Sequence, residues 1–312
     1  MKILISDKSS PKCAEILRAA GHDVDEKSGM SPEEIKGVIG EYDGLIVRSA
    51  TKVTADLLSA ARKLKLIGRA GTGVDNIDLK AAAEHDVKVM NTPGGNSNAV
   101  AELALAKMLM ISRDLYTAND SIKNHRWEKK QFKGGEIIGK TLGLLGYGRV
   151  SRLLGEKCLY LGMKVICHDP KITKNLFDED GIELVANPET IYRESDVISV
   201  HLTKRPDTLG FLSSAQFEAM RDGVCVINCA RGGIVDEKAL LAALESGKVA
   251  GAGLDVYESE PPTDFALIDH PRTVCTPHIA ASTREAQENV AVMVAEQFVD
   301  AFDKKEFRNL VS

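Results

Sequence analysis

No apolar run in this 312-residue chain approaches the roughly 20 residues that a membrane-spanning helix needs, so no membrane span is expected. The N-terminus, MKILISDKSS, is too short and too quickly polar for a signal peptide and reads as an opening strand. Six cysteines are scattered without a C-x-x-C pair, mostly among apolar residues, where Cys packs as a small hydrophobe; reduced thiols and a cytoplasmic location are expected. Seven histidines show no H-E-x-x-H or other tight ligand spacing, so no metal site is expected. The net charge of −5 argues against a field for nucleic acid. Internal repeats, low-complexity segments and disordered tails are also missing.

What is present is an ordinary soluble balance, 44% hydrophobic and 27% charged, which easily supplies a core. The length exceeds one comfortable core, and two domains are expected. Short β-like runs alternate with helical patterns. KILIS, GLIVR (44–48), KLIGRAG (65–71) and VKVMNT (87–92) read as early strands, with helical spacing in SPEEIKGVIG and ADLLSAARK. Residues 98–123, after the turn-rich TPGGNS, read as one long helix without Gly or Pro: either a buried helix, or a connector between domains or a dimer element. A second series follows: TLGLLGY (141–147), KVICHD (164–169), GIELV (181–185), DVISVHL (196–202), VCVINCA (224–230), VAGAGLDVY (249–257) and TVCTPH (273–278). Such alternation means βαβ units, here a doubly wound parallel sheet of six or seven strands. A last helix over 283–304 opens on Ser282-x-x-Glu285, a capping-box pattern, and its apolar stripe is free to return to the first domain.

In LLGYGRVS (144–151), Gly146 and Gly148 have the spacing of a dinucleotide-binding turn, but Ser151 stands where a third glycine is usual. The context supports the site: strand TLGLL before, a helical VSRLLGEKCLYLG after, and Asp169 ending the next strand, 21 positions beyond Gly148. Gly146 permits the tight turn, Gly148 lets backbone approach the pyrophosphate, and the third position governs only how closely helix and strand pack. Asp169 can accept the ribose hydroxyls and repels a 2′-phosphate, which favours NAD over NADP; Lys171 nearby weakens that preference.

Hydride transfer to a 2-keto acid needs a cation for the carboxylate, a proton donor for the carbonyl oxygen, and a partner that tunes the donor. Arg231, in NCARGGIVDEKAL (228–240), lies at a strand's end ahead of a helix that Asp236 would cap, and its planar fork suits a carboxylate. His278, in TPHIAAST (276–283), also ends a strand, and imidazole titrates near neutrality. Glu260, in DVYESEPP (255–262), precedes a double proline and could hold the histidine ring. Separately these are a surface ion pair, a structural histidine and a loop charge; together they fall on one edge of the expected sheet.

The motifs N-x-A-R-G-G-x-V-D-E-x-A-L, D-V-Y-x-x-E-P and T-P-H, in that order after G-x-G, resemble those of the D-isomer-specific 2-hydroxyacid dehydrogenases, and the resemblance covers essentially the whole chain. It implies an α/β fold of two parallel-sheet domains, Rossmann-like and flavodoxin-like, with an active-site cleft between them. Residues 1–95 and 282–312 would bind substrate and residues 96–281 NAD. By the same resemblance Arg231, Glu260 and His278 are the catalytic trio, with the histidine as acid/base and the glutamate as its partner. Arg149 and Val150 join the pyrophosphate site, Ala230 and Asp255 lie by the nicotinamide, and Thr72 contacts it from the other domain. Family members are usually dimers, so a homodimer is expected. Within the family, VRSATKVTADLL, GRAGTGVDNIDL, NTPGGNS and RWEKKQFKG resemble members acting on a phosphorylated 2-hydroxy acid. The phosphate needs extra cations, for which the resemblance offers Arg48, Lys129 and Lys130. It also brings the substrate toward Gly71, Gly73, Asn96 and Asn98. Many such members carry a C-terminal regulatory domain; nothing in this sequence encodes one, and feedback through it is not expected. Unphosphorylated acids (glyoxylate, hydroxypyruvate or D-lactate) are the alternative substrates. A non-catalytic NAD-sensing binding protein is the alternative of another class.

Overall fold

The structure is a computed structural model that describes residues 1–311. The chain folds as two compact units, one made of Met1–Ser97 and the C-terminal segment from Ala281 onward, the other of Asn98–Ala280.

The first unit is built on β1 (Lys2–Ile5), β2 (Asp23–Glu26), β3 (Gly44–Val47), β4 (Leu66–Arg69) and β5 (Lys88–Asn91), parallel throughout in the order β2-β1-β3-β4-β5. Strand β2 escapes sequence pattern because DVDE carries one apolar residue, Val24, and it occupies a sheet edge where little needs burying. The C-terminal helix Arg284–Val299 covers one face: Val290, Ala291, Val294 and Phe298 pack with Ile3, Ile46 and Leu66 in one core cluster. The cap differs from the expected one. Thr283, not Ser282, accepts the Ala286 amide, so the helix starts one residue later, and the regular helix ends at Val299 in a wider turn over Asp300–Lys304.

The second unit holds β6 (Thr141–Leu145), β7 (Lys164–His168), β8 (Leu176–Phe177), β9 (Glu183–Leu184), β10 (Val197–Val200), β11 (Val224–Asn228), β12 (Val249–Leu254) and β13 (Thr273–Cys275). Their order is β13-β12-β11-β10-β6-β7-β9-β8, parallel except for β8 against β9. The sheet has eight strands rather than six or seven, because the two-residue β8 is too short to leave a periodic signal. The strands leave the sheet in step. His168 pairs with Leu145, Leu145 with Val200, Val200 with Asn228, Asn228 with Leu254, and Leu254 with Cys275. The next residues, Asp169, Gly146, His201, Cys229, Asp255 and Thr276, therefore form one row along the carboxyl edge, where parallel α/β sheets hold ligands.

The expected single helix over 98–123 is two, Ser97–Ser112 and Leu115–Lys123, separated at Asp114, whose φ is 47°. The cause lies elsewhere in the chain: the Gly135 amide takes the Ser112 carbonyl at 2.7 Å, which ends the first helix, and aspartate is among the residues that tolerate the left-handed turn. No helix among the described residues is long and apolar enough to cross a membrane.

Candidate active site

The glycine turn joins β6 to the helix Arg149–Tyr160. Gly146 has φ 98°, and a Cβ there would stand 2.9 Å from the His201 carbonyl oxygen, so glycine is required. Gly148 opens the helix, with open space where its Cβ would be and no side chain capping the helix end. By contrast Asp236, Thr283 and Asp78 cap their helices with side-chain oxygens. An uncapped N-terminus, with the Arg149 and Val150 amides in its first turn, fits a pyrophosphate. Ser151 is fully buried, and its hydroxyl donates to the Gly146 carbonyl, so the departure from a third glycine closes the turn with a hydrogen bond. The close approach of helix to sheet occurs one turn later, at Gly155, where a Cβ would meet Ile182 at 2.6 Å.

Asp169 sits beside this turn, with its carboxylate accepting from the Tyr147 amide at 3.1 Å and the Lys171 amide at 3.0 Å. Tyr147 adds a contact that sequence patterns do not show: its phenol donates to Asp178 at 2.5 Å. Burial and that carboxylate push the phenol's pKa up to about 12. Tyr147 thus contacts two acids, Asp169 through its amide and Asp178 through its phenol.

Three strand ends bring the candidate catalytic residues together. At the end of β11, buried Asn228 ties the turn that follows: Oδ1 accepts the Ala230 amide and Nδ2 donates to the Arg231 carbonyl, each at 3.0 Å. Gly232 lies so close to the next loop that a Cβ would meet the Tyr257 carbonyl oxygen at 1.7 Å. The missing side chain is what lets the Arg231 turn and the Tyr257–Glu260 turn touch. Glu260 Oε1 accepts the Tyr257 amide at 3.1 Å, and Oε2 lies 2.6 Å from His278 Nδ1. Arg231 and Asp255 are close enough to His278 to act on its charge.

The electrostatics follow. The Glu260 hydrogen bond raises the His278 pKa, against burial and the Arg231 charge, which lower it. Burial alone would raise Glu260; the hydrogen bonds from His278 and the Tyr257 amide, with the charges of His278 and Arg231, bring it below the usual carboxylate range. Asp255 is wholly buried and holds the arm carrying His278: its carboxylate accepts from Thr276 Oγ1 at 2.5 Å and from the Ile279 and Ala280 amides at 2.9 and 2.8 Å. His278 itself has φ 51°. The ring therefore leaves a backbone that its neighbours fix, with Nε2 directed away from Glu260.

In the first unit, Arg48 follows β3 with its amide on Asp7 at 2.6 Å and its guanidinium on the Lys8 carbonyl at 3.0 Å. Gly71, Thr72 and Gly73 follow β4; the Thr72 hydroxyl donates to Asn96 Oδ1 at 3.0 Å, which brings two expected residues together. Asn98 instead turns to Glu102, at 2.7 Å. Lys129 and Lys130, in the second unit, are exposed on a short 3-10 turn, Lys129–Gln131. No group of three metal-ligating side chains occurs among the described residues.

This geometry has relatives. Residues 105–280 match the D-isomer specific 2-hydroxyacid dehydrogenase, NAD binding domain. A D-3-phosphoglycerate dehydrogenase of Archaeoglobus fulgidus is 46% identical over all of this chain, which spans 59% of that relative's length. Among solved structures, an NAD+-bound 3-phosphoglycerate dehydrogenase of Entamoeba histolytica is 31% identical with a TM-score of 0.85, covering 100% of this chain and 98% of that one. A glyoxylate reductase of Paecilomyes thermophila is also 31% identical, at a TM-score of 0.89 and with 100% and 98% covered, so the fold does not separate the substrates. With its glycine turn, its strand-end arginine and its paired histidine and glutamate inside the matched family domain, the chain belongs to the D-isomer specific 2-hydroxyacid dehydrogenases, and the match to their NAD-binding domain falls within its second unit.

Proposed function

We propose that the protein is an NAD-dependent dehydrogenase that oxidises D-3-phosphoglycerate to 3-phosphohydroxypyruvate, the reaction that opens serine synthesis. The observation that carries the acid–base chemistry is the 2.6 Å contact between His278 Nδ1 and Glu260 Oε2 at the carboxyl edge of the second sheet. The Nδ1 proton donated to Glu260 leaves Nε2 bare, the tautomer a base needs. Neutral His278 takes the substrate hydroxyl proton at Nε2 as C2 becomes a carbonyl carbon, and Glu260 stabilises the imidazolium that results. In reverse, the imidazolium returns the proton to the oxygen. Arg231 binds the carboxylate through its planar fork. When bound, NAD+ supplies the acceptor for the hydride that leaves C2. Gly146, Gly148, Arg149 and Val150 would hold its pyrophosphate, Asp169 its ribose, and Ala230, Asp255 and Thr72 its nicotinamide end.

The phosphorylated acid is favoured over glyoxylate or D-lactate by the naming of the Archaeoglobus relative and by available cations: Arg48, Lys129 and Lys130, with Gly71, Gly73 and Asn96 as further substrate contacts. The assembly is a homodimer. The second unit exposes Leu115, Tyr116, Ile122 and Trp127, the last 82% accessible, an apolar group that a second copy would cover. The six free cysteines suit a reducing, cytoplasmic location.

His278→Ala should lower turnover at least about a hundredfold, the scale of positioned proton transfer, with NADH affinity by fluorescence titration nearly unchanged. Near-full activity would remove His278 from the mechanism.

A further inference from the structure

Lys107 lies in the helix Ser97–Ser112 among Ala101, Ala104 and Met108, and is 1% exposed. A buried ammonium without partners is strongly unfavourable, so its contacts have to be accounted for. Nζ donates to the Leu254 carbonyl and to the Val274 carbonyl, each at 3.0 Å. These oxygens belong to the last residue of β12 and the last but one of β13. Gly253 makes the room: a Cβ there would stand 2.8 Å from Lys107 Cβ. Next along the chain is Asp255, whose buried carboxylate binds the residues on both sides of His278. Burial lowers the Lys107 pKa, and the Asp255 carboxylate's charge works against that shift. The Leu254 carbonyl also accepts the Thr276 amide at 3.0 Å, so the lysine and the start of the histidine arm share one acceptor.

We propose that Lys107 is a positioning residue for the acid–base arm: its buried ammonium clamps the ends of β12 and β13 and neutralises Asp255, which in turn sets where His278 presents its ring. The proposal rests on the assignment of His278 as the acid/base. A left-handed backbone at a residue with a Cβ persists only where its surroundings over-determine it, and this network supplies the constraint at His278. Removing the cation leaves Asp255 buried without its compensating charge. The uncompensated carboxylate then draws in water, which weakens its hold on Thr276, Ile279 and Ala280.

The test is Lys107→Met, which keeps the stem's length and removes the charge. Three experiments read the effect: steady-state kinetics for kcat and KM, fluorescence for NADH affinity, and NMR for the titration of the His278 ring, its signal assigned by its loss in His278→Asn. Glu260, Asp255 and Arg231 are the charged groups acting on that ring. The expected result is a kcat lower by about ten- to a hundredfold, the scale of a small misplacement of a reacting group, with NADH affinity retained and His278 titrating at lower pH because the Glu260 contact has loosened. A less stable variant with unchanged kcat and unchanged His278 titration would show Lys107 to be merely structural and would overturn the proposal. If Lys107→Met does not fold, Gly253→Ala displaces the lysine stem and keeps both charges; an unaltered His278 titration and kcat there overturns it equally. The titration reports the hold of Lys107 on the arm whether or not the arm is catalytic. Failure of the acid–base assignment shows separately, as turnover retained by His278→Asn.

Discussion

Replacing Glu260 by glutamine changes one oxygen into an NH2 group and leaves the loop's shape alone. Glu260 uses both oxygens, one on the Tyr257 amide at 3.1 Å and one on His278 Nδ1 at 2.6 Å. Glutamine can serve only one of these donors with its single oxygen. If it keeps the Tyr257 amide, its NH2 faces Nδ1, and the ring must move its proton to Nε2, where it blocks the base. If it keeps His278, the Tyr257 amide loses its acceptor, at a cost of about 1–3 kcal/mol where water cannot replace it. The first arrangement disturbs the fold less and the chemistry more. Asparagine in place of the aspartate of a Ser-His-Asp triad produces the same wrong tautomer at a cost of about 10⁴ in kcat, and general acid–base catalysis alone is worth about 10²–10⁴. Glu260→Gln is therefore expected to lose about 10²–10⁴ in kcat while binding NADH as before. The pH dependence has a definite sign. The Glu260 hydrogen bond is the main cause of the raised His278 pKa, and oxidation needs the neutral ring. Oxidation by the parent protein thus rises as pH climbs through that raised value, and the residual rise in Glu260→Gln falls at lower pH. Steady-state kinetics from pH 5 to 10, with NADH fluorescence as a binding control, reads both. A variant with undiminished kcat, or with its rise moved to higher pH, would refute the pairing.

Three further outcomes are expected. Asp169→Ala removes the carboxylate that repels a 2′-phosphate, so kcat/KM for NADP+ relative to NAD+ should rise about tenfold, less than the unscreened Coulomb term because the site is half-open and because Asp178 stays nearby; an unchanged ratio would assign the selectivity elsewhere. Phe298→Ala empties a fully buried ring site between the first sheet and Phe302, and should cost about 3–5 kcal/mol in denaturant unfolding, whereas a loss below 1 would mean that the site collapses. Trp127→Glu places a charge on the exposed apolar group and should shift sedimentation toward the monomer; an unaltered dimer would place the interface elsewhere.

The placing of candidate residues at strand ends was legible in the sequence. Gly146, Asp169, Arg231 and His278 each follow an apolar run that could only be a buried strand, and parallel strands bring their carboxyl ends to one edge. Glu260 was legible through its place beside the double proline. What escaped depends on contacts distant in sequence. The helix break at Asp114 is made by Gly135, and nothing local announces it. The Tyr147–Asp178 contact spans 31 residues, and the Lys107 contacts span 147 and 167. Lys107 was passed over in the sequence, because only the strand ends it contacts set it apart from its helix. Strands β2 and β8 were missed because an acidic edge strand and a two-residue strand bury too little to leave a periodic signal.

The most direct test is NADH formation at 340 nm with D-3-phosphoglycerate, beside D-glycerate and D-lactate at equal concentration. The expected result is a kcat/KM at least about a hundredfold higher for the phosphorylated acid, the worth of one or two charge-assisted contacts, and a large loss of that advantage in Arg48→Ala. Equal or faster oxidation of the unphosphorylated acids would contradict the assigned substrate, and no oxidation of any of the three with NADH still bound would contradict the enzyme itself.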